Sequence, residues 1–374
     1  MNKRRFDLGF DKFSGLYMLV AFIITFSVWA PNTFPTIATV HLLASTQSVA
    51  AVVALGLLVA MVAGQFDVSV GATANLAGIT TVMVQLNGTM SAVPAILLGI
   101  VVGALVGVVN GFVVVKLRVD PFIGTLGTSS ILGAVQVIVT SNEEPFPVDS
   151  DFFNGMTQTK VFGFQLVVLY LIAIALFLWW FLEKTPAGHY MYAVGGNPEA
   201  ARLSGIRVDR WAWVSLIMSG TIAGIGGILF VSLTGPALGF GGSLLLPAFA
   251  AVFLGSTQLK PGKLNVWGTL IAIFVLAVGV QGLQLVAGVQ WVAALFNGLA
   301  LIAAVALAAS RLRKNSKRGK LSLRSRVLNR STGNTSGGAG GSPSGGSANA
   351  VPISNAVSAA GSGSDETEER GRPS

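Results

Sequence analysis

Charge is what this sequence has least of. Asp, Glu, Lys and Arg make up 10% of its 374 residues, against about 25% in an ordinary soluble domain. A water-facing surface cannot be assembled from so few charges, so most of the surface must face lipid. Cysteine is absent, which excludes disulfides and thiolate metal sites and leaves the redox compartment open. A P-loop is absent too. That motif needs Gly, four residues, then Gly-Lys-Ser/Thr, and the nearest stretch, Pro261-Gly262-Lys263-Leu264, lacks the first glycine and the hydroxyl. The chain is therefore not expected to be an enzyme or to bind a cofactor, and any ATP hydrolysis is expected in a partner subunit.

What it has instead is apolar residues, 52% of the total. They fall in runs near the ~20 residues a helix needs to cross about 30 Å of hydrocarbon. The runs are Ser14–Ala30, Thr46–Ala63, Ser69–Leu86, Val93–Val115, Phe122–Thr140, Gln165–Leu182, Trp211–Leu233, Ser243–Leu254, Val266–Val286 and Trp291–Ala309. The expectation is an all-α membrane protein of about ten transmembrane helices, some short or broken, with both termini cytoplasmic. The eighth run has twelve residues and contains Pro247; it either borrows the Gly-rich stretch before it or is a broken helix.

The net charge of +9 would suggest nucleic acid in a soluble protein. Here the charges cluster between apolar runs, so no nucleic-acid partner is expected. With the N-terminus inside, the inner segments 1–13, 64–68, 116–121, 183–210, 255–265 and the tail hold fifteen basic residues up to Lys314, and the outer loops hold one, Lys160. The outer loop 141–164 carries Glu143, Glu144, Asp149 and Asp151 instead. This is the positive-inside bias of a plasma-membrane protein. The two histidines, His41 and His189, fall on opposite sides, so they form neither a metal site nor a catalytic pair. The first run could be read as a signal peptide, but its 17 residues exceed the usual 7–15 of an h-region, and an uncleaved span is preferred. Residues 311–374 are basic, then Gly/Ser-rich, then acidic. Such a tail is expected to be disordered, its basic part resting on membrane lipid.

No Lys, Arg, Asp or Glu lies inside any of the ten runs, and Asp67 sits at a mouth between the second and third. Carriers driven by protons or ions need buried ionisable relays, so energy is expected to enter from outside the membrane part. Gly99, Gly103, Gly107 and Gly111 recur every four residues, and Gly220, Gly224 and Gly227 form a second set. Both read as close helix-packing faces. Further glycines, Gly64 and Gly71, then Gly235, Gly239, Gly241 and Gly242, flank two apparent helix breaks. Breaks in two halves mark either a translocation path or ordinary turns.

The sharpest local signal lies in the largest inner segment. Gly195 and Gly196 precede Asn197, a good N-cap, and Pro198 suits the first helical position. Glu199 faces the positive end of the helix dipole; Ala200, Ala201, Arg202 and Leu203 favour helix, and Gly205, after Ser204, is a natural stop. A helix of about two turns, roughly 10 Å long, is expected. It is either a capped surface helix or a contact element.

These residues resemble a known family. Gly64-Gln65-Phe66-Asp67-Val68-Ser69-Val70-Gly71 is similar to the G-G-(I/F)-D-L-S-V-G signature of the ribose/xylose-type ABC importer permeases. Asn110-Gly111 with Pro121-Phe122-Ile123-Gly124-Thr125-Leu126-Gly127-Thr128 resembles their N-G…P-x-F-I-x-T-L-G-T pattern, with one residue fewer between Pro and Phe. Gly195–Ile206 matches G-G-N-x-x-A-A-x-x-S-G-I, and Val266-Trp267-Gly268-Thr269 resembles V-(W/F)-G-T. The likeness runs over about residues 14–310. Gln65 stands where a Gly is usual, Lys260-Pro261-Gly262-Lys263 replaces G-G-(R/K)-G, and the tail is not part of the pattern.

The resemblance implies import of a monosaccharide or similar solute by alternating access. It implies a second permease copy or homologue, cytoplasmic ATP-binding cassette subunits and an extracytoplasmic solute-binding protein as partners. It makes Gly195–Gly205 the ATPase-coupling element and Phe66, Asp67, Ser69, Phe122, Thr125 and Thr128 candidates for the translocation path. The rivals are an ion-coupled secondary carrier, a structural or receptor subunit, and a branched-chain amino-acid-type ABC permease.

Overall fold

The computed structural model describes residues 10–289 and 291–308; the expectations for residues 1–9 and for the tail from residue 309 lie outside them. The helices are α1 (Phe10–Trp29), α2 (Ile37–Val62), α3 (Val70–Leu86), α4 (Ala92–Gly111), α5 (Pro121–Thr140), α6 (Asp151–Gln158), α7 (Leu166–Lys184), α8 (Pro186–Gly196), α9 (Pro198–Leu203), α10 (Val208–Thr234), α11 (Gly241–Gly255) and α12 (Val266–Ala287). A further helix, α13, spans Trp291–Ala308. Seven helices among the described residues are long and apolar enough to cross a membrane, and the apolar helices Phe13–Trp29, Val70–Leu86 and Gly241–Gly255 are shorter. The short α11 starts two residues before the expected run, taking in Gly241 and Gly242, while residues 235–240 stay non-helical. At 1.5 Å per residue its fifteen residues reach roughly 22 Å.

A helix that is apolar all round must be either buried or bathed in lipid, and both kinds occur. α2 buries every residue from Ser48 to Val62 at the centre, where α10 packs against α2, α3 and α4. α4 is the reverse case. It buries Ala95, Gly99, Gly103, Val106, Gly107, Asn110 and Gly111, while Val93, Leu97, Val101, Leu105 and Val109 are exposed. Small residues inside and large aliphatics outside is the pattern lipid imposes: tails are as apolar as leucine, so only close packing discriminates the inner face. The two glycine sets meet. A β-carbon added at Gly103 would lie 2.5 Å from the Gly220 carbonyl and 3.0 Å from Gly224 Cα. Gly227 approaches α3 instead, against the Ala74 carbonyl.

Contacts sort the connecting segments into two ends. At one end Lys260 Nζ pairs with Glu183 at 2.6 Å, Lys263 Nζ sits 3.8 Å over the Tyr192 ring, and Tyr192 donates to the Leu264 carbonyl at 2.7 Å. At the other end Thr157 and Ser232 hydroxyls lie 2.8 Å apart, Gln158 donates to the Ser232 carbonyl at 3.2 Å, and the His41 and Phe164 rings pack 4.6 Å apart. The long loop before α7 holds the short helix α6, capped by Ser150, and an antiparallel hairpin, β1 (Lys160–Val161) with β2 (Phe164–Gln165). Its turn residues Phe162 and Gly163 both have positive φ, as a tight two-residue hairpin requires.

Candidate functional site

The chain between α2 and α3 turns at Gly64, whose φ of +77° suits glycine. Three residues on, Asp67 is fully buried. It lies between α2 and α3 as expected, but enclosed rather than at a mouth. A buried carboxylate is tolerable only when its lone pairs are satisfied, and here they are. Asp67 Oδ1 accepts from the Ser69 amide at 3.0 Å and the Ser69 hydroxyl at 2.6 Å, and Oδ2 accepts from the Ser219 hydroxyl at 2.7 Å. Ser69 Oγ in turn accepts from Asn110 Nδ2 at 2.7 Å. The carboxylate thus joins α3, α4 and α10.

Of the six pathway candidates, Asp67, Ser69 and Thr125 come together with the Phe66 backbone. Thr125 Oγ1 accepts from the Val68 amide at 3.0 Å and lies within donating distance of the Phe66 carbonyl, 2.9 Å, and the Pro121 carbonyl, 2.7 Å. The Phe66 side chain is partly exposed and leans toward Phe253 of α11, ring centroids 6.5 Å apart. Phe122 is exposed on the first turn of α5. Thr128 is buried and donates back to the Gly124 carbonyl at 3.1 Å. The two glycine-rich breaks also meet: a β-carbon at Gly71 would fall on the Gly241 carbonyl, and one at Gly241 on the Gly71 carbonyl.

Segment 183–210 holds two helices where one was expected. Thr185 caps α8 by accepting from the Gly188 amide at 3.2 Å, with Pro186 in the first position. That cap-then-proline signal is the same as Asn197-Pro198 and was readable. Asn197 caps α9 by accepting from the Ala200 amide at 3.0 Å. The end of α9 is a Schellman turn: the Ile206 amide donates to the Ala201 carbonyl, and the Gly205 amide to the Arg202 carbonyl, both at 3.0 Å, with Gly205 at φ +82°. Ser204 Oγ donates back to the Ala200 carbonyl at 2.9 Å. Glu199, Ala200 and Arg202 face outward, whereas Ala201 is buried; it underlies the helix rather than its outer face. Leu203, not singled out in the sequence, is 90% exposed. Its apolar type at the end of a polar helix was the available signal. Gly196 has open space beside it, but a β-carbon at Gly195 would fall on the Val62 carbonyl at the end of α2. The base of the α8–α9 pair therefore seats on the turn that leads to Asp67. Burial, with Glu183 adding to it, pushes the Tyr192 hydroxyl in α8 above its usual range, so it remains a neutral donor.

Residues 39–305 match the family described as branched-chain amino acid transport system / permease component. Among curated proteins, the ribose import permease protein of Escherichia coli is 33% identical over 72% of this chain and 84% of its own length. The L-arabinose transport system permease protein of Escherichia coli is 30% identical over 81% of this chain and 92% of its own. The D-allose transport system permease protein of Escherichia coli is 28% identical over 81% of this chain and 93% of its own. No solved structure matches the chain.

Proposed function

The chain belongs to the branched-chain amino acid transport system / permease component family, and from that premise we propose that it is the plasma-membrane permease of an ATP-driven importer for a monosaccharide or similar small polar solute. Relatives named for ribose, L-arabinose and D-allose transport align over most of their own length, which favours the sugar branch over the amino-acid branch. In this reading all ten apolar helices span, residues 1–13 and the tail 311–374 are cytoplasmic, and residues 14–310 form the permease domain. The end that carries segments 64–68, 183–210 and 255–265 faces the cytoplasm, because the basic residues gather there. Asp67, hydrogen-bonded on both carboxylate oxygens, acts in this reading as a clasp between helices.

The observation that carries the reading is the α8–α9 pair. A short helix, capped at both ends, presents Leu203 bare between Glu199, Arg202 and Ser204, and its base seats against the end of α2. In this reading the exposed Leu203 is apolar area that the partner surface buries on docking. The partner is a cytoplasmic ATP-binding cassette subunit; a second permease copy and an extracytoplasmic binding protein complete the assembly. The test is Leu203→Glu in the chain co-expressed with its ATPase. Because the side chain is solvent-exposed, the fold should be untouched, while ATPase co-purification and solute-stimulated hydrolysis should both fall. Full retention of both would remove α9 from the coupling role, and uptake by this chain alone without ATP would overturn the importer reading.

A further inference from the structure

Where Gly71 of α3 meets Gly241 of α11, the bundle is not filled. A cavity of about 380 Å³ elsewhere is lined almost wholly by aliphatic and aromatic side chains. The one beside the glycine contact is different. It measures about 140 Å³ and is walled by Asn75 of α3, Ser129, Gly133 and Gln136 of α5, and the backbone around Gly241. That is far more than the ~10–15 Å³ one water needs. Asn75 is 3% and Gln136 6% exposed, yet the Asn75 side-chain oxygen, buried at this wall, has no hydrogen-bond partner. A buried acceptor left open is costly to the fold, and such a group persists where something else supplies the donor.

We infer that this cleft is a way-station for the solute, and that Asn75 with Gln136 and Ser129 holds the hydroxyls of a neutral polyhydroxylated molecule. The inference rests on the importer reading given above. Each amide offers an acceptor beside a donor, and each sugar hydroxyl is both, so an amide meets a vicinal pair of hydroxyls with both of its atoms used. None of the residues lining the cleft is charged. A zwitterionic amino acid entering it would lose water with no counter-charge to replace it, whereas a neutral polyol would only exchange hydrogen bonds. The glycines give the room: a β-carbon at Gly133 or at Gly242 would touch no atom within 4 Å, so both positions border open space.

The geometry makes the test clean. Asn75→Leu keeps the branched outline and the number of side-chain heavy atoms, adds bulk only where the cleft is open, and removes an unpaired polar atom, a change expected to leave the fold as stable or more so. Gly133→Leu narrows the cleft from a helix face with space beside it. Proteoliposomes holding the permease, its ATPase and its binding protein would be given labelled D-ribose, L-arabinose, D-allose or L-leucine, with Ser130→Ala, on the exposed face of α5, as control. Each variant should lose roughly tenfold or more of sugar uptake, the scale of one lost buried hydrogen bond or more. Melting temperatures should be unchanged or raised for Asn75→Leu, and the control should match wild type. Sugar uptake at the wild-type rate in both variants would overturn the way-station and leave the importer standing. A strongly lowered melting temperature for Asn75→Leu would show that the amide serves the fold, and would overturn it too. If the wild-type complex takes up L-leucine and none of the three sugars, the sugar reading falls, and the way-station with it.

Discussion

Replacing Gly103 by alanine adds one methyl group at the closest approach of α4 and α10. That methyl would sit 2.5 Å from the Gly220 carbonyl and 3.0 Å from Gly224 Cα. Both neighbours are backbone, so neither can rotate away, and restoring ordinary contact at ~3.5 Å requires the helices to part by roughly 1 Å. A gap of that size forfeits about a quarter to a half of the attraction at each neighbouring contact. In lipid no hydrophobic force closes it again. Overpacking of this kind costs about 1–3 kcal/mol, offset by up to ~1 kcal/mol from the better helix propensity of alanine. Two backbone groups are struck, which places the cost in the upper part of that range, so a net loss of about 1–2 kcal/mol remains, a factor of roughly 5–30 in the folded fraction. Gly103→Leu should exceed about 3 kcal/mol, whereas Val101→Leu, on the half-exposed face, should stay within about 0.5 kcal/mol. Denaturation of the purified protein in mixed micelles gives all three values. A Gly103→Ala protein as stable as wild type would refute the glycine-to-glycine interface.

Two further outcomes are expected. Asp67→Ala strands the Ser69 and Ser219 donors, each at about 1–3 kcal/mol, so it should lower stability by several kcal/mol and Ser219→Ala by less; unaltered melting of both proteins would show that the carboxylate does not join the helices. Because the chain contains no cysteine, single cysteines at Asn154 and Ser204 can be compared directly with an impermeant thiol reagent in intact cells. Asn154→Cys should label and Ser204→Cys should not; the opposite result would invert the membrane orientation.

What could be read from the sequence was what depends on neighbours along the chain. Apolar run length located the seven helices long and apolar enough to cross a membrane and the three shorter apolar ones, and Asn197, Pro198 and Gly205 located α9, because a cap, a first-turn proline and a left-handed stop all act within one turn. The pairing of residues far apart could not be read. The glycine period marked a packing face on α4, but nothing in it named α10 as the partner. Asp67 looked like a loop residue because the group that buries its second oxygen, Ser219, is 152 residues away. Ala201 turned inward because α9 lies on α8 and α10, a matter of tertiary orientation. The cleft at Asn75 is the same kind of omission: its walls come from three separated segments. The miss at α8 was different, since Thr185-Pro186 carried the signal in plain sight.

The distance between Asp67 and Ser219 also orders events during synthesis. Ser69 leaves the ribosome with Asp67, and Asn110 soon follows, but the donor to the second carboxylate oxygen comes 152 residues later. At about 5–20 residues per second that is a wait of roughly 8–30 s. An unsatisfied carboxylate is expensive in hydrocarbon, so through that interval the turn between α2 and α3 must stay where water can reach it. The arrival of α10 supplies the Ser219 hydroxyl and, on the same helix, the glycines that receive α4. One late helix therefore closes two early contacts at once, and the centre of the bundle is completed only when α10 arrives rather than span by span.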